Sequence, residues 1–368
     1  MNIDVLRYLE PTKLNFNARA ESIGSNFTKI SLNPKNNQFI TEQIIDKFIL
    51  LGIPDDRGVI ANLGNPGAKE GPKSFRDSFY KMYDTKIMQD MTNSKVFSQN
   101  LPPTNKTQFF LSDKITDVGN IILADSIEET HERLAYVVEF LLRNKARFIF
   151  VIGGGHDFTY GSYKGHVKSR ENEIIPIINL DAHFDLRPVI NNEINSGTAF
   201  YRIIKDFNKN IANGKALLEI GIQRERNPHS LFDYAMQNGI KTVEYISLLN
   251  IWKEFTSGNI QIPSEHIHDH IDDCSKFGFE RKTGSLHISL CLDVFDQAIA
   301  PGTSASTPIG AQMKDLSQTF AYFGRSNTCR IMDIAELCPA RDTLDQTARL
   351  CASIVYRIIL LREEYSNR

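Results

Sequence analysis

An α/β fold with a central, mainly parallel sheet flanked by helices is what this sequence predicts, and three observations predict it. Apolar runs of strand length recur along the chain, segments with helical spacing lie among them, and the polar residues capable of chemistry stand immediately after the runs. Apolar runs of that length suit strands buried on both faces, which a parallel sheet between helices requires. In such sheets, ligands bind beyond the carboxyl ends of the strands.

Taken in order, residues 1–42 are polar and rich in Asn, Ser and Lys, and are expected to form an irregular arm or cap. Residues 43–368 are expected to form one domain. Within it, Phe48–Ile53 is the first strand and Ile127–Leu142 a helix with charges opposite its apolar stripe. Arg147–Ile152, Ile174–Leu180, Ala216–Ile222, Ser285–Leu292 and Thr328–Ile334 read as further strands, and Thr343–Arg362 as a closing helix.

Composition narrows the function. A formal charge of −2, from 42 basic and 44 acidic residues, supplies no field for nucleic acid or an anionic membrane, so the expected partner is a small molecule. Cysteines at 274, 291, 329, 338 and 351 form no CxxC pair, which argues against a disulfide framework and for a reducing cytoplasm. Neither a signal peptide nor a membrane-spanning stretch is expected.

Three motifs carry chemistry. After RFIFVI comes GGGHDF, placing His156 at a strand end behind glycines that permit tight turning and close approach; an incidental His in a Gly-rich turn is the alternative. After IIPIINL comes Asp181-Ala182-His183-Phe184-Asp185. In an extended chain the two carboxylates and the imidazole share one face, a grouping costly to bury without a cation. After SLHISL, the same period pairs Cys291 with Asp293, while Asp296 falls out of register and is expected to fix the following loop. The cluster HIHDH at 266–270 is read as a solvated segment rather than a second metal site.

In order and spacing, GGGHD, DAHFD and CLD…APG…TP resemble the metal-binding motifs of the ureohydrolases, the family of arginases, agmatinases and formimidoylglutamases, from about Gly52 to Arg362. GIPDDRGV, DAHFDLRP, NSGTAF and DVFDQAIAPGTSAS are most similar to the formimidoylglutamase branch. The resemblance implies a three-layer arginase-like fold, possible homo-oligomers, and two manganese ions held by His156, Asp181, His183, Asp185 and Asp293. Where a sixth, bridging Asp is expected, this chain has Cys291, either a thiolate ligand or an inert buried thiol. The implied reaction is hydrolysis of N-formimidoyl-L-glutamate to L-glutamate and formamide by a metal-activated water, oriented by Asp185. Glu336, in RIMDIAELCP, would hold the amidine, and Ser196, Gly197 and Thr198 would contact substrate carboxylate oxygens. Ordinary strand-end and loop roles are the alternatives for those four. An arginase or agmatinase, or a catalytically silent relative, are the rival functions.

Overall fold

The structure is a computed structural model that describes residues 3–13, 18–26, 40–88, 108–247 and 285–366. The HIHDH segment and Cys274 lie outside the described residues. Strands are β1 Leu9–Glu10, β2 Phe48–Ile53, β3 Lys86–Met88, β4 Gln108–Phe110, β5 Ile115–Ile121, β6 Phe148–Gly153, β7 Ile177–Leu180, β8 Leu217–Ile222, β9 Lys241–Glu244, β10 Leu286–Cys291 and β11 Cys329–Ala335. Nine of them form one sheet in the order β1-β5-β2-β6-β11-β10-β7-β8-β9, and β3 pairs with β4 alone. Only β1 runs antiparallel to its neighbour in that sheet; every other pairing in it is parallel.

All six strands read from apolar runs are present, and β2, β6, β8 and β10 are buried at every residue. The β7 ladder starts late, at Ile177, because Pro176 before it has no N–H to contribute. Three sheet strands lacked a legible run. In β5, Asp117, Gly119 and Asn120 interrupt the apolar pattern, yet Asp117 is buried because Arg76 reaches it with Nε at 2.8 Å and Nη2 at 2.9 Å. β9 is a half-buried edge strand, and β1 is two residues long. β1 also revises the reading of residues 1–42 as irregular: Leu9 pairs with Ile121, and Val5 and Leu9 are buried in the core. Two residues are too few for periodicity to register.

The helices are α1 Ile40–Ile44, α2 Arg57–Ala61, α3 Gly71–Phe79, α4 Ile127–Arg143, α5 Thr159–Ser169, α6 Ala199–Asp206, α7 His229–Gln237, α8 Met313–Arg325 and α9 Gln346–Ser366. Ser126 starts α4 by accepting the Glu129 N–H at 3.0 Å, with Glu128 and Glu129 in the favourable first turn. Asp342 does the same for α9 through the N–H groups of Thr347 and Ala348. Helices α3, α8 and α9 cover one face of the sheet, packing Phe75, Phe323 and Val355 against Leu50, Phe150, Ile288 and Ile334. The other face carries two apolar clusters, one from α4 over β2 and β6, the other from α5, α6 and α7 over β7 and β8. Between those clusters runs a buried polar row, Asp333, Ser289, Asn179 and Glu219, in register on four adjacent strands. Among the described residues, no helix is long and apolar enough to cross a membrane.

Candidate metal centre

Strands β6, β11, β10 and β7 are consecutive in the sheet although β6 and β7 are consecutive in the chain. Strand order therefore reverses here, and the loops leaving these four strands open a crevice above the buried polar row. His156 follows β6, Asp181 to Asp185 follow β7, Cys291 ends β10 with Asp293 just beyond it, and Glu336 follows β11.

Backbone pairing continues past the strands and locks these loops together. Gly154 N donates to Ile53 O at 3.0 Å, Gly155 N to Asp55 O at 2.9 Å, and Glu336 N to Gly154 O at 2.8 Å. The glycines of GGGHDF serve this approach rather than a turn, for none of the three has positive φ. A Cβ on Gly154 would stand 1.8 Å from Asp55 O, which no side chain tolerates.

Past β7 and β10 the extended geometry expected from period two is not kept. β7 ends at Leu180, and Asp185 takes φ +47, a left-handed conformation that aims its carboxylate back at His156. β10 ends at Cys291, and Leu292–Val294 form a 3-10 turn. The same residues converge, by turning rather than by pleating. Asp296 does fix its loop, accepting the Ala298 N–H at 2.8 Å.

The convergence is tight. His156 Nδ1 lies 3.0 Å from Asp181 Oδ2 and 2.9 Å from Asp185 Oδ2. His183 Nδ1 lies 3.1 Å from Asp293 Oδ2 and 3.5 Å from Asp181 Oδ1. Ligand atoms of His156, Asp181 and Cys291 fall within 4.8 Å of one another, as do those of Asp181, His183 and Asp293. Asp181 thus belongs to both groups, one oxygen on each side. Burial alone would lower the pKa of both imidazoles, yet Asp181 and Asp185 hold His156, and Asp293 and Asp181 hold His183, well above the ordinary histidine value. Burial and the neighbouring Asp181 raise Asp185, whereas His183 overcomes burial to keep Asp293 below the usual carboxylate range. For Cys291, burial and then Asp181 and Asp293 push the thiol well up.

Such a cluster calls for positive charge, and its leftover atoms say where. His156 Nδ1, Asp181 Oδ2 and Asp293 Oδ1 are buried without a hydrogen-bond partner. Orphaned buried polar atoms are costly, and a nitrogen-and-carboxylate donor set is what divalent cations satisfy. The residues therefore fit divalent metal, with Asp181 common to both groups of ligand-type atoms. His156 Nε2 meets Ser289 Oγ at 2.7 Å, the outer contact that fixes a ligating imidazole's tautomer and tilt. No sequence motif pointed to Ser289, whose place is set by strand register alone.

Glu336 is 3% exposed and, like Asp185, left-handed, at φ +69. Its Oε1 accepts the His156 backbone N–H at 3.0 Å and its Oε2 accepts the Ser304 hydroxyl. Burial, with Asp293 close by, pushes its pKa well above the carboxylate range. A bulky residue in this backbone region stores strain of about 1–3 kcal/mol, and both instances here stand where substrate chemistry is expected. Asp181, His183, Asp185, Cys291, Asp293 and Glu336 all line one cleft of about 280 Å³, opened outward by Asn62, Leu63, Arg187 and Ser196. Of the three predicted loop contacts, Ser196 reaches the cleft. Gly197 and Thr198 sit behind it, where Gly197 O accepts the Arg187 N–H at 2.9 Å and Thr198 Oγ1 donates to Asn195 O at 2.7 Å. Asn62 ties the rim together, donating to Ser196 Oγ at 3.0 Å and accepting from Arg187. Arg187 and Asn62 were not singled out from the sequence. The Arg in DLRP was visible, but its position at the cleft mouth depends on the turn at Asp185.

Known proteins resemble this chain along most of its length. The model of the Arginase family matches residues 46–361. A formimidoylglutamase of Clostridium tetani is 31% identical over 317 residues, 85% of this chain and 82% of that protein. One from Legionella pneumophila is 29% identical over 335 residues, 90% of each. In three dimensions, Trypanosoma cruzi formiminoglutamase, crystallised with Mn2+, superposes with a TM-score of 0.68 at 22% identity, covering 94% of this chain and 98% of that one. Proclavaminate amidino hydrolase from Streptomyces clavuligerus superposes at 0.64 with 22% identity, covering 87% and 93%.

Proposed function

The chain belongs to the arginase family, and from that premise we propose that it hydrolyses N-formimidoyl-L-glutamate to L-glutamate and formamide, a step of histidine degradation. His156, Asp181, His183, Asp185, Asp293 and Cys291 would hold two divalent cations, manganese being the ion in the related trypanosomal structure. Bound there, the cations supply a water acidic enough to act as a nucleophile near neutral pH.

The rest falls to side chains. Asp185, half-buried and lining the cleft, accepts the water's proton and returns it to the departing nitrogen of glutamate. Glu336, pinned by the His156 N–H and the Ser304 hydroxyl, faces the amidinium and fixes the sp² carbon against the attacking oxygen. Carbon–oxygen bond formation and carbon–nitrogen cleavage then yield formamide and the free amino acid. Ser196, with Gly197 and Thr198 shaping its turn, donates to a substrate carboxylate. Free, buried Cys291, Cys329, Cys338 and Cys351 accord with a cytoplasmic site of action.

One observation carries the choice of substrate: the cleft is acidic at its floor and carries the cationic Arg187 at its mouth. N-formimidoyl-L-glutamate has the matching polarity, a cationic amidine at one end and carboxylates beyond it. Agmatine is cationic at both ends and would meet Arg187 with like charge. Purified protein loaded with manganese should release formamide from the formimino compound faster than urea from arginine or agmatine. The opposite order would overturn the substrate reading and leave the metal centre standing. Cys291 favours one second reading, a catalytically silent relative, which absence of turnover on all three compounds would establish.

A further inference from the structure

We propose that Cys291 Sγ is itself a cation ligand, so that the two halves of the centre differ in chemistry: a sulfur-containing position selective for zinc, beside a nitrogen-and-oxygen position suited to manganese. The proposal rests on the reading of this crevice as a metal centre and is independent of the substrate.

Cys291 is the last residue of β10 and is 2% exposed. Its sulfur shares a 4.8 Å sphere with ligand atoms of His156 and Asp181. Two of those atoms, His156 Nδ1 and Asp181 Oδ2, are buried without a hydrogen bond and face each other at 3.0 Å. Asp185 Oδ2 joins them at 2.9 Å from the same nitrogen. One imidazole, two carboxylates and one sulfur make a four-ligand set of the kind zinc accepts. The other half groups Asp181 Oδ1, His183 Nδ1 and Asp293 Oδ2, and the Cys291 thiol touches it only through a hydrogen bond to Asp293.

A thiolate carries one negative charge, as a carboxylate does, so the charge of the position is unaltered while its softness rises. Thiolate ligands favour zinc, whereas manganese favours oxygen. A single sulfur also lacks the second oxygen with which a carboxylate can span two ions. Asp181 presents one oxygen to each of the two ligand groups and would be the carboxylate shared between them. As the sulfur–metal bond forms, the thiol proton leaves to solvent, one per chain.

Cobalt(II) tests this by absorbance, without substrate. Added anaerobically to the reduced full-length protein, it should give a near-ultraviolet sulfur-to-cobalt charge-transfer band. The band should vanish in Cys291→Ser and Cys291→Asp, with circular dichroism unchanged, and persist in Cys338→Ser. Zinc should displace it at concentrations where manganese does not. In competition calorimetry, Cys291→Asp should shift the zinc-to-manganese preference toward manganese by about tenfold or more. Cobalt binding without the band, a band surviving in Cys291→Asp, or no cobalt binding at all would each overturn the proposal. Formamide release without the band would sink this inference alone, and the band without formamide release would sink the substrate reading alone.

Discussion

The fold treats the carboxylate inside strand β5 and the carboxylates at the crevice oppositely. At one end, Asp117 of β5 is enclosed by Arg76, by the Tyr80 hydroxyl and by the Gly119 N–H at 2.9 Å. Burial would raise its pKa, yet Arg76 holds it below the usual carboxylate range, and the charge is neutralised within the chain. At the crevice, Asp181, Asp185 and Asp293 face two histidines and a thiol, with buried atoms left unpartnered. The first cluster is complete and holds helix α3 to the sheet. The second leaves buried ligand-type atoms without a hydrogen bond, a set that a bound cation would complete. Burial and charge are alike in the two, so neither distinguishes the crevice; the convergence there of unsatisfied nitrogen and carboxylate atoms on one spot does.

The comparison breaks most sharply by mutation at the crevice. Asp181→Ala and His183→Ala should lower formamide release by more than about a hundredfold, since even outer-shell losses cost 10–100-fold at metal sites. Full activity in either variant would remove the assignment. Asp117→Ala should behave inversely. Stranding Arg76 in the interior should cost about 3–5 kcal/mol by denaturant unfolding, while the folded fraction keeps its kcat. If Asp117→Ala leaves stability intact, the completed cluster is not structural.

Metal sharpens the contrast next. Divalent cation at about a hundredfold its Kd should stabilise wild type by about 2.7 kcal/mol, a chelator should reverse this, and the thermal shift should be absent in Asp181→Ala. An equal shift in that variant would place the cation elsewhere. At the mouth, Arg187→Gln should raise KM for the formimino compound about tenfold or more with little change in kcat, as expected for loss of a charged hydrogen bond. A fall in kcat at constant KM would contradict an anchoring role.

The smallest effect belongs to a third buried group. His166 contacts His287 at 3.2 Å and Ser285 at 2.5 Å, and His287 in turn meets Asp333 at 2.8 Å. Burial, with His287, Arg170 and Arg330 nearby, lowers the His166 pKa well below its ordinary value. The unfolded chain therefore takes up this proton first. Stability should be full above the unfolded histidine value of about 6.5 and decline as pH falls below it toward the folded pKa. His166→Asn should flatten that part of the acid-side loss in urea titrations, and an unchanged slope would show that His166 is already charged in the fold.

The α/β class, six of the nine sheet strands, two long helices and the motifs that meet at the crevice were all readable along the chain. Each is written in short-range pattern: apolar runs of strand length, helical periodicity, and polar residues placed directly after them. What the chain could not disclose depends on partners distant in sequence. Asp117 lies in a strand that no apolar run announced, and its charge is neutralised by Arg76, 41 residues away in sequence. Ser289 became the outer support of His156 only through the register of β10, and Arg187 reached the cleft mouth only through the left-handed turn at Asp185. The motifs at 156, 181–185 and 291–293 nominated ligands by residue type. Their grouping into two triads sharing Asp181, with the sulfur of Cys291 in one and not the other, was decided by the tertiary structure, because strand order sets β7 beside β10 and the turns past the strand ends, not the pleat, aim the side chains.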